Sequence, residues 1–137
     1  MSTEAKEQPS SAGPTASCHC GAITLTLPTA PDRLNECHCS VCYKYGALWA
    51  YYARHKVVIA ASPDAASQAP YVREDMDTKG ALEFHRCGRC GCVMYWGPTP
   101  ELAAKWKEQD QTVRMGVNCR MLPEEEIAGV ERVVTRC

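Results

Sequence analysis

Cysteine spacing carries the chemistry of this chain. Four short groups stand out: Cys18-His19-Cys20, Cys37-His38-Cys39, Cys39-x-x-Cys42 and Cys87-x-x-Cys90. Seven of the ten cysteines fall in them, a regularity that core packing does not require. Thiolates at such spacing are the natural ligands of tetrahedral zinc. Two zinc sites take eight donors, and these groups supply seven. Structural sites are closed and catalytic ones keep a position open, so the shortfall of one donor is where function enters.

Residues i and i+2 of an extended strand point to the same side, so a C-x-C pair presents two sulfurs to one ion. A C-x-x-C pair does the same on a tight turn, which Gly88 and Gly91 permit at Cys87–Cys90. Cys37, Cys39 and Cys42 are close enough to serve one ion. Cys18/Cys20 and Cys87/Cys90 each offer two donors; paired, they would close a four-thiolate site and tie the first strand to a distant hairpin. Spacing alone leaves the pairing open. A disulfide framework is the weaker alternative, because a C-x-C pair is awkward to bridge and Met1–Ser17 lacks the apolar run of a secretory signal. The expected setting is the reducing cytoplasm.

The bulk properties suit one modest domain. The 137 residues are 45% hydrophobic and 23% charged, with a net charge of −1. No basic run points to nucleic acid, and no stretch approaches the roughly 20 apolar residues of a membrane span. Residues 1–16 read as a disordered tail and 17–137 as the zinc-binding domain.

The elements that must position the cysteines are mostly short strands. Ala22–Leu27 alternates apolar and hydroxyl side chains, and Pro28 ends it. After a turn, the Cys37–Cys42 group reads as a loop. Strands are expected over 47–53, 57–60, 69–73, 81–86, 92–96, 112–118 and 130–135. One helix is expected after Thr99, which can cap it, with Pro100 in the first position and Leu102 and Trp106 on one face. A further turn of helix fits 123–126. The sum is a mostly β domain.

Cys18-His-Cys20-Gly21, Cys37-His-Cys39-Ser-Val-Cys42-Tyr-Lys44, Cys87-Gly-Arg-Cys90-Gly91 with Tyr95-Trp96, and Gly116-Val-Asn-Cys-Arg-Met-Leu122 together resemble the glutathione-dependent formaldehyde-activating (Gfa) family, which includes centromere protein V. The resemblance spans about 17–135. It implies an Mss4-like β-tent of small antiparallel sheets with two zinc ions per chain. It also implies that Cys18, Cys20, Cys87 and Cys90 hold the structural zinc, and Cys37, Cys39 and Cys42 the catalytic one. The expected activity is that of a carbon–sulfur lyase on a glutathione adduct, S-hydroxymethylglutathione or that of a larger electrophile, with glutathione as thiol cosubstrate.

Three thiolates around Zn²⁺ leave a net negative site, a weak Lewis acid that keeps a bound thiolate nucleophilic. A nearby cation is therefore expected. Lys44 is the first candidate, with Arg54 and Arg120 as further ones that also suit glutathione carboxylates. His19 and His38 should point away from the metals. Cys92 would close the catalytic site if its sulfur joined the triplet. The expected partner is glutathione or its adduct, with neither nucleic acid nor membrane, in a monomer or homodimer. Two rival readings are a non-catalytic zinc-stabilised protein-binding module and a thiol redox or metal switch.

Overall fold

A computed structural model describes residues 13–66, 69–73 and 81–136. Among the described residues, ten strands form two sheets. A three-stranded antiparallel sheet has the order β1-β2-β5, from Thr15–Ser17, Ile23–Thr26 and Val58–Ala61. A seven-stranded sheet runs β10-β3-β4-β9-β8-β7-β6. Its strands are Glu131–Thr135, Arg33–Cys37, Trp49–Ala53, Arg114–Asn118, Val93–Pro98, Leu82–Arg86 and Tyr71–Val72, in that order.

The small sheet covers one face of the large one. Ala16, Ile23 and Leu25 meet Leu34, Ala50, Met94 and Val117 there in a continuous buried core. A second cluster lies apart from it, with Trp49 and Phe84 packed on Cys37, Cys39 and Cys42. Strand alternation explains the division: Leu34 and Cys37 are both buried in β3, yet they fall in different clusters.

Each strand expected from sequence is present, within a residue or two of its bounds. Three features differ from the expectations. Residues 33–37, read as a turn, form β3, because β10 pairs with them in parallel over their whole length, Glu131 opposite Arg33 through Thr135 opposite Cys37. That pair departs from purely antiparallel sheets. The tail expected over 1–16 lies outside the described residues as far as residue 12. From there the chain is ordered: Gly13 N–H donates to Leu27 O, and Ala16 is fully buried within β1. Helix is more frequent than the one segment expected after Thr99 and the further turn expected at 123–126, both of which are present. The first is Pro100–Glu108, and Thr99 Oγ1 accepts from Leu102 N–H at its start. Single turns also form at Ser40–Tyr45 (α1), Pro63–Ala66 (α2) and Glu124–Ile127 (α4), the long one being α3. Among the described residues no helix is long and apolar enough to cross a membrane.

Candidate metal centres and active site

The first cysteine group forms where two turns meet. Cys18 and Cys20 follow β1, and Cys87 and Cys90 sit between β7 and β8. Gly91 adopts φ 83°, a left-handed conformation that closes the Cys87–Cys90 turn, and its N–H bonds Cys87 O. Backbone N–H groups of Arg89 and Cys90 then donate to Cys87 Sγ at 3.3 and 3.4 Å, and Ile23 N–H to Cys18 Sγ at 3.3 Å.

All four sulfurs lie within 4.8 Å of one another. Cys18–Cys20 and Cys20–Cys87 are each 3.7 Å apart. A tetrahedron of sulfurs 2.3 Å from zinc has edges of about 3.8 Å, so these separations suit a shared ion and are far from disulfide bonds. Charge agrees with distance. Backbone N–H groups of Cys20 and Cys92 hold Cys90 down to about 5. For Cys20 a bond from the Ala22 backbone favours the thiolate, but desolvation and the thiols of Cys87, Cys18 and Cys90 raise it to about 11. Such divergent thiols, side by side, ionise together only around a cation.

The second group is built by β3 and α1. Cys37 ends β3, Cys39 stands at the helix N-terminus, and Cys42 lies three residues on, in the first turn. That spacing places two sulfurs on one side of a helical turn. Gly46 ends α1 at φ 66°, its N–H reaching Cys42 O and Tyr43 O. The three sulfurs lie within 4.8 Å of one another and all three residues are buried. Among the described residues no fourth His, Cys, Asp or Glu completes this group.

Two side chains prepare the triplet for negative charge. Arg73, just past β6 and only 6% exposed, places Nη1 3.6 Å from Cys39 Sγ. Burial opposes ionisation of Cys39, but the Cys42 backbone, the thiols of Cys42 and Cys37, and Arg73 outweigh it and hold Cys39 at about 7. Cys42 is pushed far up by burial and by Cys39. Trp49 Nε1 is buried without a hydrogen-bond partner among the described residues. An orphaned donor and a buried guanidinium beside three sulfurs fit a group that is anionic when it holds a metal.

This arrangement brings together the seven predicted cysteines in the expected sets. Cys92 stays with the first group, beside Cys90, and does not join the triplet. His38 turns to Glu36, Nε2 to Oε2 at 2.7 Å, and His19 is exposed and joins neither cluster. Lys44 is exposed on α1. Arg54 donates from Nη1 to Val57 O at 3.2 Å. Arg120 lines a small opening with Cys37, Cys42, Glu36 and His38. Arg73 was not singled out from the sequence, where it borders a charged stretch that reads as solvated surface.

A model of the glutathione-dependent formaldehyde-activating enzyme family matches residues 13–127. The chain belongs to that family. The match contains both cysteine groups and every strand except β10. A crystal structure of a Rhodobacter sphaeroides protein, a structural genomics target, shares the fold: it aligns with TM-score 0.59 and 18% identity over 87% of this chain and 99% of its own. No functionally curated protein matches the sequence. As a family member the chain presents two cysteine clusters compatible with metal in a mostly β fold.

Proposed function

We propose that this protein is a zinc-dependent carbon–sulfur lyase that makes or breaks the adduct of glutathione with an aldehyde, formaldehyde being the simplest. The observation that carries this reading is the asymmetry of the two clusters. Four sulfurs close one set, whereas three buried sulfurs with Arg73 against Cys39 form the other. Cys18, Cys20, Cys87 and Cys90 would hold a structural ion, and Cys37, Cys39 and Cys42 the second. A zinc ion held by the triplet would supply a positive centre with room for a fourth sulfur, keeping that sulfur nucleophilic.

The residues of this chain do the rest. Arg73 offsets the charge that a fourth thiolate adds, and Trp49 and Phe84 keep that side of the cluster dry. Joining the thiolate to formaldehyde forms one C–S bond, moves the carbonyl π pair to oxygen and adds a proton there; the reverse step returns all three. No electrons are gained or lost overall. The free thiols fit the reducing cytoplasm.

The test is the exchange of ¹³C-formaldehyde between its hydrate and S-hydroxymethylglutathione, followed by NMR with zinc-loaded protein. Exchange above the spontaneous rate, lost in Cys39→Ser, supports the reading. Unchanged exchange with formaldehyde and with larger aldehydes contradicts it and favours a binding module.

A further inference from the structure

A cavity of about 730 Å³ opens on the face of the large sheet that carries Cys37. Arg33, Asn35 and Cys37 alternate along β3, so their side chains leave the sheet on one face, with Leu34 on the other. Asn35 lines the cavity, as does Thr135, which β10 sets directly opposite Cys37. Trp49 joins the two regions: it lines the cavity and packs on Cys37, Cys39 and Cys42. The space therefore begins beside the triplet, about 7 Å along β3 from Cys37. Its floor is ordered. Tyr51, 41% exposed, has its ring held by Trp96, with centroids 5.9 Å apart, and by Asn35 Nδ2, which donates to its hydroxyl. Thr135 Oγ1 donates in turn to Asn35 Oδ1 at 2.9 Å. Arg33 and Arg114 stand on the strands either side of β4, about 10 Å apart at two strand spacings. Among the described residues neither forms an ion pair. Against Asp32, these two arginines leave the lining one positive charge in excess.

We propose that this cavity receives the aldehyde half of the adduct, and that the aldehyde it suits is an aromatic one bearing a carboxylate. The ring lies against Tyr51, the carboxylate pairs with Arg33 and Arg114, and Asn35 and Thr135 face the adduct's hydroxyl. The assignment rests on the lyase reading above and names its substrate class. Size argues against formaldehyde alone. A one-carbon group would leave empty a space of the size that holds drug-sized ligands, about 300–1,000 Å³. Charge argues for one carboxylate, whose single negative charge cancels the excess on the lining. Arginine forks bind that group through paired hydrogen bonds. Shape argues for a ring, since a fixed aromatic face stacks on planar partners. The bond changes are those of formaldehyde: one C–S bond forms at the carbonyl carbon, its π pair moves to oxygen and a proton joins there, with no oxidant needed.

The test uses the full chain loaded with Co²⁺, with the Zn²⁺ form as diamagnetic reference, and two unreactive probes followed by proton NMR. The first, 4-(hydroxymethyl)benzoate, carries ring, hydroxyl and carboxylate; the second, benzyl alcohol, lacks the carboxylate. The benzoate should bind more tightly, and Co²⁺ should broaden its hydroxymethyl protons more than the ring protons beside the carboxylate. That difference should vanish in Cys39→Ser, which removes a ligand of the triplet. Arg33→Met and Arg114→Met change exposed side chains. Each should weaken the benzoate about tenfold or more, the loss typical of a charged hydrogen bond, and leave benzyl alcohol unchanged. No preference for the benzoate, unchanged affinity in both arginine variants, or equal broadening in Cys39→Ser overturns the inference. Glutathione, titrated separately against the cobalt absorption, tests the reading beneath it. If the benzoate binds as expected but glutathione leaves that absorption unchanged, the open site is refuted and the aldehyde assignment goes with it.

Discussion

Arg73 and Cys39 are 34 residues apart in sequence, and Nη1 of the first lies 3.6 Å from Sγ of the second. A buried guanidinium beside a sulfur favours its thiolate, so Arg73 supports negative charge at the triplet. Arg73→Met should lower metal affinity at the triplet by about 10- to 100-fold, the usual cost of losing a group that supports a ligand. Arg73→Lys should recover part of it, since a point charge replaces a planar fork. Competition with a chromogenic chelator measures both, and the four-cysteine site should be unaffected.

The two clusters should separate in their effect on stability. A metal held by Cys18, Cys20, Cys87 and Cys90 would tie β1 and β2 to the β7–β8 turn. Cys87→Ser should thus lower the melting temperature sharply and make the protein insensitive to added zinc, because structural metal binding is folding free energy. Cys39→Ser should change the melting temperature far less while abolishing activity. Thermal melts with and without chelator check the difference.

Much of this architecture was legible in the sequence, for physical reasons that apply locally. C-x-C and C-x-x-C spacing sets sulfurs side by side whatever the wider fold, so the four short groups could be read locally, while their assembly into two sets rested on the family resemblance. Thr99-Pro100 announced a helix by local capping chemistry. What stayed hidden depends on distant partners. Arg33–Cys37 becomes a strand because β10, about a hundred residues later, pairs with it. Residues 40–45, which carry Cys42, become helical through the left-handed cap at Gly46. Arg73 looks like any arginine beside a charged stretch until β6 pairs with β7 and buries it.

Gly116 lies where the large sheet leaves no room for a side chain. A Cβ there would collide with the indole of Trp96, which lies across it from the paired strand. Gly116→Ala should destabilise the protein by about 1–3 kcal/mol, the cost of overpacking. Urea unfolding at constant slope measures it, and Trp96 fluorescence should shift as the ring is displaced.

Cys119 should be chemically silent in the folded protein. It is fully buried, and burial pushes its thiol up to about 12. Since a thiol reacts as thiolate, the folded group stays protonated and inert at pH 8, and only unfolding returns it to the ordinary range near 9. Iodoacetamide at pH 8 followed by peptide mapping should leave Cys119 unmodified in the native protein and modify it in urea.

The open three-thiolate site is tested most directly by zinc per chain, measured by atomic emission in wild type and Cys39→Ser, together with a glutathione titration of the cobalt-substituted proteins. The expected result is two metals in wild type, one of which changes its spectrum with glutathione and is missing from Cys39→Ser. Two tightly held metals indifferent to glutathione would contradict it, and would mark both clusters as closed structural sites.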